Sequence, residues 1–549
     1  MGSKKKSGKF VFRKHANIGA ADAIEDREYL SESFVDNGEL AIFRDTTRPE
    51  CIAVGRTGSG KTALLEQLRA CEERVIKIAP ESLALNYISN NDVLNFFTEA
   101  GVDMDLFYRL LWRHVLAVEI IKERYHIVNE QSRDNFLVQL KDKLFSSRAR
   151  AAALAYLKEW GESFWQETEY RVKEVTRKLE KDLGASVQSS FGAIPGIGAS
   201  PVSLNAEAAR KLTEEQKAEV VRRGQSVVDS VQVGLLTEII KLLEDDILDD
   251  KQKKYFITID RLDEGWVNDN LRYRLIRALL ETVRDFNNGI ENVKIIVAVR
   301  EDLLDRVFRY VRSPGYQEEK YKSMYLPLVW SEEELEVLLD KRVSQLVKEQ
   351  YTSKIVRLRD LLPTSLYKDD PIRYLLARTM LRPRDAIMFF NECLKRAVGK
   401  AAVTKEMVDQ AELIYSENRL RALADEWATD YPNLIELGFF LRGLPSQFHR
   451  AAASKQIEDK LLEFLDTNRV EDYIHNTAVE KFNTGDIDGF IQEMLSILFR
   501  VGLIGVKQHN YARIHWSYLG EKLLEADTGE NAVFHIHPAF WKVLGVRDQ

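Results

Sequence analysis

The chain has 549 residues, of which 45% are hydrophobic and 30% charged, and its formal net charge is −7. This balance is typical of a globular protein of roughly three or four domains, and it does not favour a general nucleic-acid coat. The three cysteines form neither a C-x-x-C pair nor a zinc-site spacing, which indicates free thiols in a reducing compartment. Because no run is apolar enough for a membrane helix or a signal peptide, we expect a cytoplasmic protein without a membrane partner.

The most informative run is a complete G-x-x-x-x-G-K-[ST] motif between an apolar stretch at 51–54 and a helical pattern at 63–68. In this strand–loop–helix setting the glycines let backbone N–H groups point at phosphate oxygens, and the helix N terminus adds positive potential. The lysine is expected to reach the β- and γ-phosphates and the final hydroxyl to hold Mg²⁺. The predicted nucleotide-binding residues are Gly55, Arg56, Thr57, Gly58, Ser59, Gly60, Lys61 and Thr62.

Five short runs are apolar on both alternating faces, as are strands of a parallel sheet that helices cover on both sides. They lie at 51–54, 75–78, 255–259, 293–299 and 325–329. The sequence therefore predicts an α/β fold: a P-loop NTPase core with a five-stranded parallel sheet, a large helical insertion, a helical lid and a C-terminal winged-helix-like domain. The expected boundaries are 1–82 and 251–330 for the core, 83–250 for the insertion, 331–430 for the lid and 431–549 for the last domain.

The predicted insertion consists of helical patterns at 106–123 and 148–183, a glycine- and proline-rich break at 184–203, and a helix that begins at a Thr213–Gln216 capping box. A second capping box, Ser331–Glu334, begins the predicted lid, and helical patterns continue to about residue 430. A helix at 490–503 followed by short strands at 504–506, 512–516 and 533–536 is typical of a winged helix.

A second motif follows the predicted strand at 255–259, which ends in Asp260. A carboxylate at the C-terminal end of such a strand is what a Walker B motif needs to reach Mg²⁺, so Asp260 and Thr62 are the predicted metal ligands. Hydrolysis also needs a carboxylate that orients and polarises the attacking water. Glu264 is the predicted residue for this role, and Asp263 is the second choice.

Three arginines are candidates for contact with the phosphates. Arg300 ends the strand predicted at 293–299, where a polar side chain can sense the γ-phosphate. Arg312 follows in the next helical pattern and is the candidate arginine finger for a neighbouring subunit. Arg384 lies at the start of a helix whose first turn suits Pro383, and it is predicted to couple the phosphates to the lid.

These features together resemble the AAA+ and STAND branches of the P-loop ATPases. Plain AAA+ proteins place Glu directly after the Walker B Asp, where this chain has Arg261; the spaced Asp260-x-x-Asp263-Glu264 form is similar to STAND-type signalling ATPases. The segments 17–20 and 34–38 are similar to a family of bacterial P-loop ATPases associated with mobile and anti-phage defence loci. The resemblance implies ATP and Mg²⁺ as cofactors and nucleotide-dependent switching or oligomerisation, although the long insertion departs from the common AAA+ pattern.

The leading hypothesis is an ATP-hydrolysing molecular switch that forms a homo-oligomer and acts with a separate effector or sensor protein, in defence or signalling. The alternative is a DNA-binding loader or initiator that uses the winged helix. Residues 431–549 contain 12 Lys and Arg against 16 Asp and Glu, which does not favour strong duplex binding, although Arg500, Lys507 and Arg513 are available for a small patch. A GTPase or kinase is disfavoured because no [NT]-K-x-D sequence is present, and an ABC ATPase because L-S-G-G-Q is absent.

Overall fold

The structure is a computed structural model that describes residues 11–80, 91–127, 204–230, 250–310, 318–350, 356–466, 472–509, 511–521 and 531–547, with a few isolated residues between these ranges. Its described part divides into two compact units. The first contains the described residues of the ranges 1–35, 56–63 and 328–549, and the second contains those of the ranges 36–55 and 64–327. Each unit is described separately below.

The second unit is built on a five-stranded, all-parallel sheet in the order β2-β3-β4-β1-β5, which confirms the predicted α/β fold with a five-stranded parallel sheet. All residues of β3 and all but the last residue of β4 are buried, as expected for strands covered on both faces. The strands are β1 (Ile52–Gly55), β2 (Val75–Ile78), β3 (Tyr255–Ile259), β4 (Val293–Arg300) and β5 (Tyr325–Pro327).

The strand order places β4 between β1 and β3. Gly55 is in register with Arg300, and Ile259 is in register with Val297. Because parallel strands all end at the same edge of the sheet, the C-terminal ends of β1, β3 and β4 converge there. This edge therefore collects the residue that begins the P-loop, Arg300, and the segment that starts at Asp260.

Helices of the second unit pack on the sheet and on one another. The helix Asp105–Tyr125 lies against Asp269–Gly289, and the buried Trp112 donates from Nε1 to the Leu275 carbonyl over 2.9 Å. Asn268 caps the second of these helices by accepting from the Leu271 N–H. The helices are Glu39–Arg44, Asp92–Ala100, Asp105–Tyr125, Ala206–Arg210, Glu214–Ser230, Asp269–Gly289 and Glu301–Tyr310, with most of Lys61–Cys71.

A buried lysine ties β4 to the segment before β1. The Lys294 side chain is 1% exposed, and its ammonium donates to the carbonyls of Asp45 and Arg48 over 2.6 and 2.8 Å. Burial lowers the pKa of Lys294, and the surrounding carbonyl oxygens replace the water that the ammonium loses. This contact fixes the turn from which β1 starts.

The first unit is mainly helical and has two apolar cores. One core joins the N-terminal residues Phe12 and Ile18 to helices between residues 332 and 415, and the other lies in the C-terminal part of the chain. The helices are Arg27–Ser33, Glu332–Gln350, Leu358–Leu361, Pro371–Leu376, Pro383–Arg396, Lys405–Trp427, Leu434–Phe439, Arg450–Asp466, Tyr473–Thr484, Ile487–Val501 and Trp541–Leu544.

Both predicted capping boxes form. The Thr213 N–H donates to the Gln216 side chain while the Gln216 N–H donates to the Thr213 hydroxyl, over 3.0 and 3.3 Å. Ser331 and Glu334 make the same reciprocal pair over 2.8 and 3.2 Å. These local hydrogen bonds satisfy N–H groups that lack a partner within the helix, which is why short-range sequence patterns predict them well.

The C-terminal sheet differs from its prediction. Three antiparallel strands form it in the order β6-β8-β7, with β6 at Gln447–His449, β7 at Ile504–Lys507 and β8 at Val533–Ile536. The strand predicted at 512–516 is wrong: His515 makes a single isolated bridge with Val506, so no ladder develops. The three-residue β6 takes the third place, and so short a segment carries no periodicity that a sequence reading could detect.

The long charged pattern at 148–183 and the break at 184–203 lie almost entirely outside the described residues. None of the helices in the described ranges is long and apolar enough to cross a membrane.

We expect the buried pair Arg342–Asp26 to be a main contributor to the stability of the first unit. The two side chains are 4% and 3% exposed and their charged atoms are 2.5 Å apart, while Arg342 also donates to the Ile18 carbonyl. Arg342→Met would leave the Asp26 carboxylate buried without its partner, at a cost of about 3–5 kcal/mol. Urea unfolding followed by circular dichroism measures this loss. Arg359→Ala breaks the exposed pair with Asp370 and should cost less than about 1 kcal/mol; equal losses in the two variants would contradict the prediction.

Candidate functional site

The P-loop has the backbone that its motif requires. It follows β1 directly and leads into the helix Lys61–Cys71, and Gly58 and Gly60 have φ values of +81° and +99°. A side chain at Gly58 is excluded twice, because its φ is left-handed and because a Cβ there would lie 2.8 Å from the Arg384 Cβ. Lys61 and Thr62 therefore stand at a helix N terminus whose first N–H groups have no partner within the helix.

Polar groups of this loop are available for a ligand. Thr57 Oγ1 and Ser59 Oγ are shielded from solvent and have no hydrogen-bond partner within the described part of the chain. The Lys61 ammonium donates to the Arg56 carbonyl over 3.0 Å, so this cation lies beside the loop. Hydroxyl donors, a lysine and a helix N terminus suit the oxygens of a phosphate group.

Three residues that follow β5 in sequence contact backbone carbonyl groups of the P-loop. Trp330 donates from Nε1 to the Ser59 carbonyl over 2.8 Å, and Arg382 donates to the Thr57 carbonyl over 3.2 Å. The backbone N–H of Arg384 lies 3.4 Å from the Gly58 carbonyl. The loop conformation is thus set by residues 330–384 as well as by its own glycines.

Arg384 stands where the sequence places it. Its helix, Pro383–Arg396, begins with Pro383 at the first helical position. The Arg384 side chain donates from Nε to the Ala21 carbonyl over 3.0 Å. The structure thus brings Arg384 to the P-loop through its backbone, and the side chain also contacts the N-terminal segment.

The segment after β3 forms a braced turn at the C-terminal edge of the sheet. Asp260 accepts from the Arg261 N–H over 2.8 Å, and Arg261 has a left-handed φ of +61°. Arg272 donates to the carbonyls of Asp263 and Glu264 over 3.3 and 3.2 Å. This bracing places the Asp263 and Glu264 side chains at the surface, where they are 36% and 46% exposed.

Arg300 joins this acidic turn. Its guanidinium forms two hydrogen bonds of 2.9 Å with Asp302 and approaches Asp263 Oδ2 at 3.2 Å. Asp302 also holds Arg306 at 3.2 Å. The structure therefore brings the predicted sensor and one predicted acid together, and Asp302 orients the sensor. Glu264 instead lies 3.4 Å from Arg261, and Arg312 lies outside the described residues.

No group of three or more His, Cys, Asp and Glu side chains that could hold a metal ion occurs among the described residues. A hydroxyl such as that of Thr62 and a carboxylate such as that of Asp260 are oxygen ligands of the kind that Mg²⁺ takes together with phosphate oxygens and water. The donor chemistry of the predicted ligands thus fits Mg²⁺ held jointly with a nucleotide.

The sequence reading missed a buried ionic cluster beside the P-loop. Glu426, 3% exposed, lies 3.1 Å from Arg382 and 4.0 Å from both Arg56 and Arg419. Arg419 in turn holds Asp385 at 2.5 Å. Nothing in the local sequence around Glu426 distinguishes it from a surface charge, because its helix, Lys405–Trp427, has charged residues on several faces.

Burial, with a contribution from arginines of this cluster, keeps a histidine in the C-terminal part of the unit uncharged. His537 is 1% exposed, and its ring packs against Trp516 and Tyr518. Burial and then the positive charges of Arg56, Arg382, Arg378 and Arg419 lower the pKa of His537 to about 3. The ring is therefore neutral at neutral pH, and its Nδ1 accepts from the Ala539 N–H over 3.2 Å.

Comparison with known proteins gives three likenesses. Residues 333–424 match the family described as the FunZ-associated C-terminal helical domain. An Escherichia coli (strain K12) protein named "Putative transposon gamma-delta 80.3 kDa protein" is 22% identical over 545 residues, and the match covers 96% of this chain and 67% of that protein. The solved structure of the Aeropyrum pernix ORC2 protein in ADPNP–ADP complexes superimposes with a TM-score of 0.30 at 11% identity, covering 96% of this chain and 95% of the other.

We expect acid to destabilise the first unit through His537. Between pH 6.5 and about 3 the unfolded chain binds a proton at this ring that the folded chain does not, so stability falls as the pH falls through this range. The loss from His537 at pH 5 is about 2 kcal/mol. His535 adds to the trend, since burial and Lys507 lower its pKa to about 4.

The measurement is urea unfolding at pH 7.5 and pH 5 for the wild type and His537→Phe, which keeps an aromatic ring but cannot take a proton. The difference between the two pH values should shrink by about 2 kcal/mol in the variant. His509→Phe, at an exposed position, serves as the control and should retain the wild-type difference. An unchanged difference in His537→Phe would show that folding does not lower the pKa of this ring.

Proposed function

We propose that the chain binds ATP with Mg²⁺, hydrolyses it, and uses the nucleotide state as a switch. The observation that carries the proposal is the P-loop itself. Left-handed Gly58 and Gly60, a helix that begins at Lys61, and shielded hydroxyls that have no hydrogen-bond partner among the described residues form a cradle for a phosphate group. ATP is preferred over GTP because the sequence has no guanine-reading [NT]-K-x-D run.

The residue roles follow from chemistry and position. The P-loop N–H groups and Lys61 would bind the phosphates, and Thr62 and Asp260 would hold Mg²⁺. Mg²⁺ would supply charge stabilisation at the phosphates. Glu264 would orient the attacking water and accept its proton, with Asp263 as the second candidate. Arg300, Arg384 and Arg312 are proposed to stabilise or sense the phosphate charge.

The exposed position of Glu264 supports its proposed role. Its side chain is 46% exposed and lies 3.4 Å from the Arg261 guanidinium, so the carboxylate is open to water at the sheet edge. Each carboxylate has an arginine nearby, Arg300 at 3.2 Å from Asp263 and Arg261 at 3.4 Å from Glu264, but Asp263 is the less exposed of the two at 36%. This difference favours Glu264 over Asp263 as the residue that activates water.

The biological setting is proposed from the sequence resemblance and from one relative. The E. coli relative is named as a transposon protein, which supports an association of such chains with mobile genetic elements. We propose that the switch acts in signalling or defence, as a homo-oligomer and through a separate effector or sensor protein, with a winged-helix-like domain at the C terminus and a helical lid before it.

Nucleotide binding and hydrolysis are tested together. Purified protein is titrated with a fluorescent ATP analogue, and phosphate release is measured with ATP and with GTP. Lys61→Ala should weaken binding at least 10-fold, because one ammonium–phosphate contact is lost. Glu264→Gln should keep the affinity of the wild type but lower turnover by about 10²-fold or more.

Glu291→Gln is the matched control, since Glu291 is an exposed carboxylate paired with Lys251, and it should retain full turnover. A wild-type protein that binds neither nucleotide would refute the proposal. Full turnover in Glu264→Gln would assign the activation of water to another residue, with Asp263→Asn as the next variant.

A second candidate function, contact with DNA, is favoured by one specific observation. Residues 494–520 contain no Asp or Glu, although the region 431–549 is acidic overall. Tyr511 is 97% exposed in this stretch, and Lys507 and Arg513 flank it. Arg513 pairs with Glu521 at 2.7 Å, and Arg500 donates to the Tyr431 hydroxyl, so Lys507 is the residue best placed for a phosphate.

Fluorescence anisotropy with a labelled duplex at several salt concentrations tests this candidate. The variant Lys507→Ala should weaken binding equally for unrelated sequences and lower the salt slope by about 1, because one phosphate contact is lost. Lys455→Ala, at an exposed position of the same region, is the control. Absence of binding at low salt would reject a DNA-binding role for this stretch.

A further inference from the structure

Arg56, the second residue of the P-loop motif, makes a contact that the motif itself does not explain. Arg56 is 12% exposed and donates from Nη2 to the Val501 carbonyl over 2.9 Å. Val501 is the last residue of the helix Ile487–Val501, where carbonyl groups lack partners within the helix and the dipole is negative. A guanidinium at this position satisfies one such carbonyl and ties the P-loop to the C-terminal part of the unit.

The residue after this helix makes room for the contact. Gly502 has a left-handed φ of +86°, and a Cβ there would lie 3.0 Å from Arg56 Nη1 and 3.1 Å from Met380 Cε. The helix end and the guanidinium are therefore packed tightly, and a movement of either one requires a movement of the other.

The Arg56 guanidinium also lies near a single buried carboxylate, that of Glu426. Glu426 is shared by Arg56, Arg382 and Arg419, and Arg382 also donates to the Thr57 carbonyl of the P-loop. Among the ion pairs of the described residues, three guanidinium groups of this cluster face the two carboxylates of Glu426 and Asp385. Arg382 Nε and Nη2 are buried without a hydrogen-bond partner among the described residues.

An excess of positive charge in a buried cluster favours the approach of an anion. Phosphate oxygens arriving at the P-loop compete with Glu426 for the guanidinium groups of Arg56 and Arg382, since all of these contacts are charge-assisted. A phosphate contact made by Arg56 or Arg382 weakens the hold of that arginine on Glu426. A phosphate contact made by Arg56 also weakens its hold on the Val501 carbonyl. Nucleotide binding and the fixed position of the Ile487–Val501 helix end thus oppose each other.

We infer that Arg56 and Glu426 form a latch that holds the end of the Ile487–Val501 helix against the P-loop and that nucleotide binding releases it. The inference rests on the proposed function, because it names the regulation of the same phosphate site. Arg56 and Glu426 are positioning residues in this account. By linkage, whatever releases the helix end also raises the affinity for nucleotide, by the same factor.

The test combines nucleotide affinity with hydrogen–deuterium exchange on the full chain. Exchange is measured in peptides that cover residues 497–505, with and without ADPNP and Mg²⁺, and a fluorescent ATP analogue reports affinity. The variants are Arg56→Met, which keeps most of the side-chain volume, and Glu426→Gln, which keeps the shape of the carboxylate. Arg421→Ala, at an exposed position of the Lys405–Trp427 helix, is the control.

In the wild type, the nucleotide should speed exchange in residues 497–505. Both variants should show this faster exchange without nucleotide, and Glu426→Gln should bind the ATP analogue at least 5-fold more tightly, because the competing carboxylate charge is gone. Arg421→Ala should match the wild type in both measurements. Exchange of the β3 peptide, residues 255–259, reports whether the variants retain their fold.

Two results would overturn the latch while leaving the proposed function intact: nucleotide that binds to the wild type without changing exchange in residues 497–505, or variants whose exchange and affinity equal those of the wild type. A wild type that does not bind nucleotide would instead refute the proposed function, and the nucleotide-dependent part of the latch with it. Exchange in residues 497–505 of Arg56→Met without nucleotide distinguishes failure of the latch from failure of the proposed function. This exchange measures directly whether Arg56 holds the helix end in place.

Discussion

The parallel pairing of β1 and β3 with β4 is the constraint on which the candidate site depends. Since parallel strands end at one edge of the sheet, the order β2-β3-β4-β1-β5 brings the start of the P-loop, the Asp260 turn and Arg300 to the same edge. Residues that are up to 245 positions apart in the chain, Gly55 and Arg300, become direct neighbours in the sheet. The chemistry at this edge therefore depends on correct register, because a shift of one residue would turn each strand's side chains to the opposite face.

Ion pairs then orient the side chains at the sheet edge and beside the P-loop. At the sheet edge, Asp302 orients Arg300 with two hydrogen bonds, and Arg300 in turn restrains Asp263. Beside the P-loop, Glu426 is shared by three arginines that belong to separate segments of the chain. Buried charges of this kind are costly unless each has partners, so they tolerate few alternative arrangements. An incoming phosphate would be a partner of the right sign, which is the physical basis of the proposed coupling between ligand and fold.

Much of the fold was predictable from local patterns. The apolar runs identify all five parallel strands to within two residues, and the capping boxes Thr213–Gln216 and Ser331–Glu334 identify two helix starts. The strand expected at 512–516 is absent, and β6 was not expected, because the pairing of short strands depends on partners distant in sequence. The five-part domain division stays a prediction, as do the roles of the site residues.

The sequence by itself determined the P-loop, the acidic turn after β3 and the parallel α/β core, because a glycine pattern, a strand-ending carboxylate and two-sided hydrophobicity are local properties. Only the tertiary structure decided which charges meet. Arg300 pairs with Asp302 and Asp263, Arg56 reaches the Val501 carbonyl, and Glu426 is buried among arginines. No local pattern distinguishes these charges from solvated ones, since burial and partner choice arise only when distant helices and strands pack together.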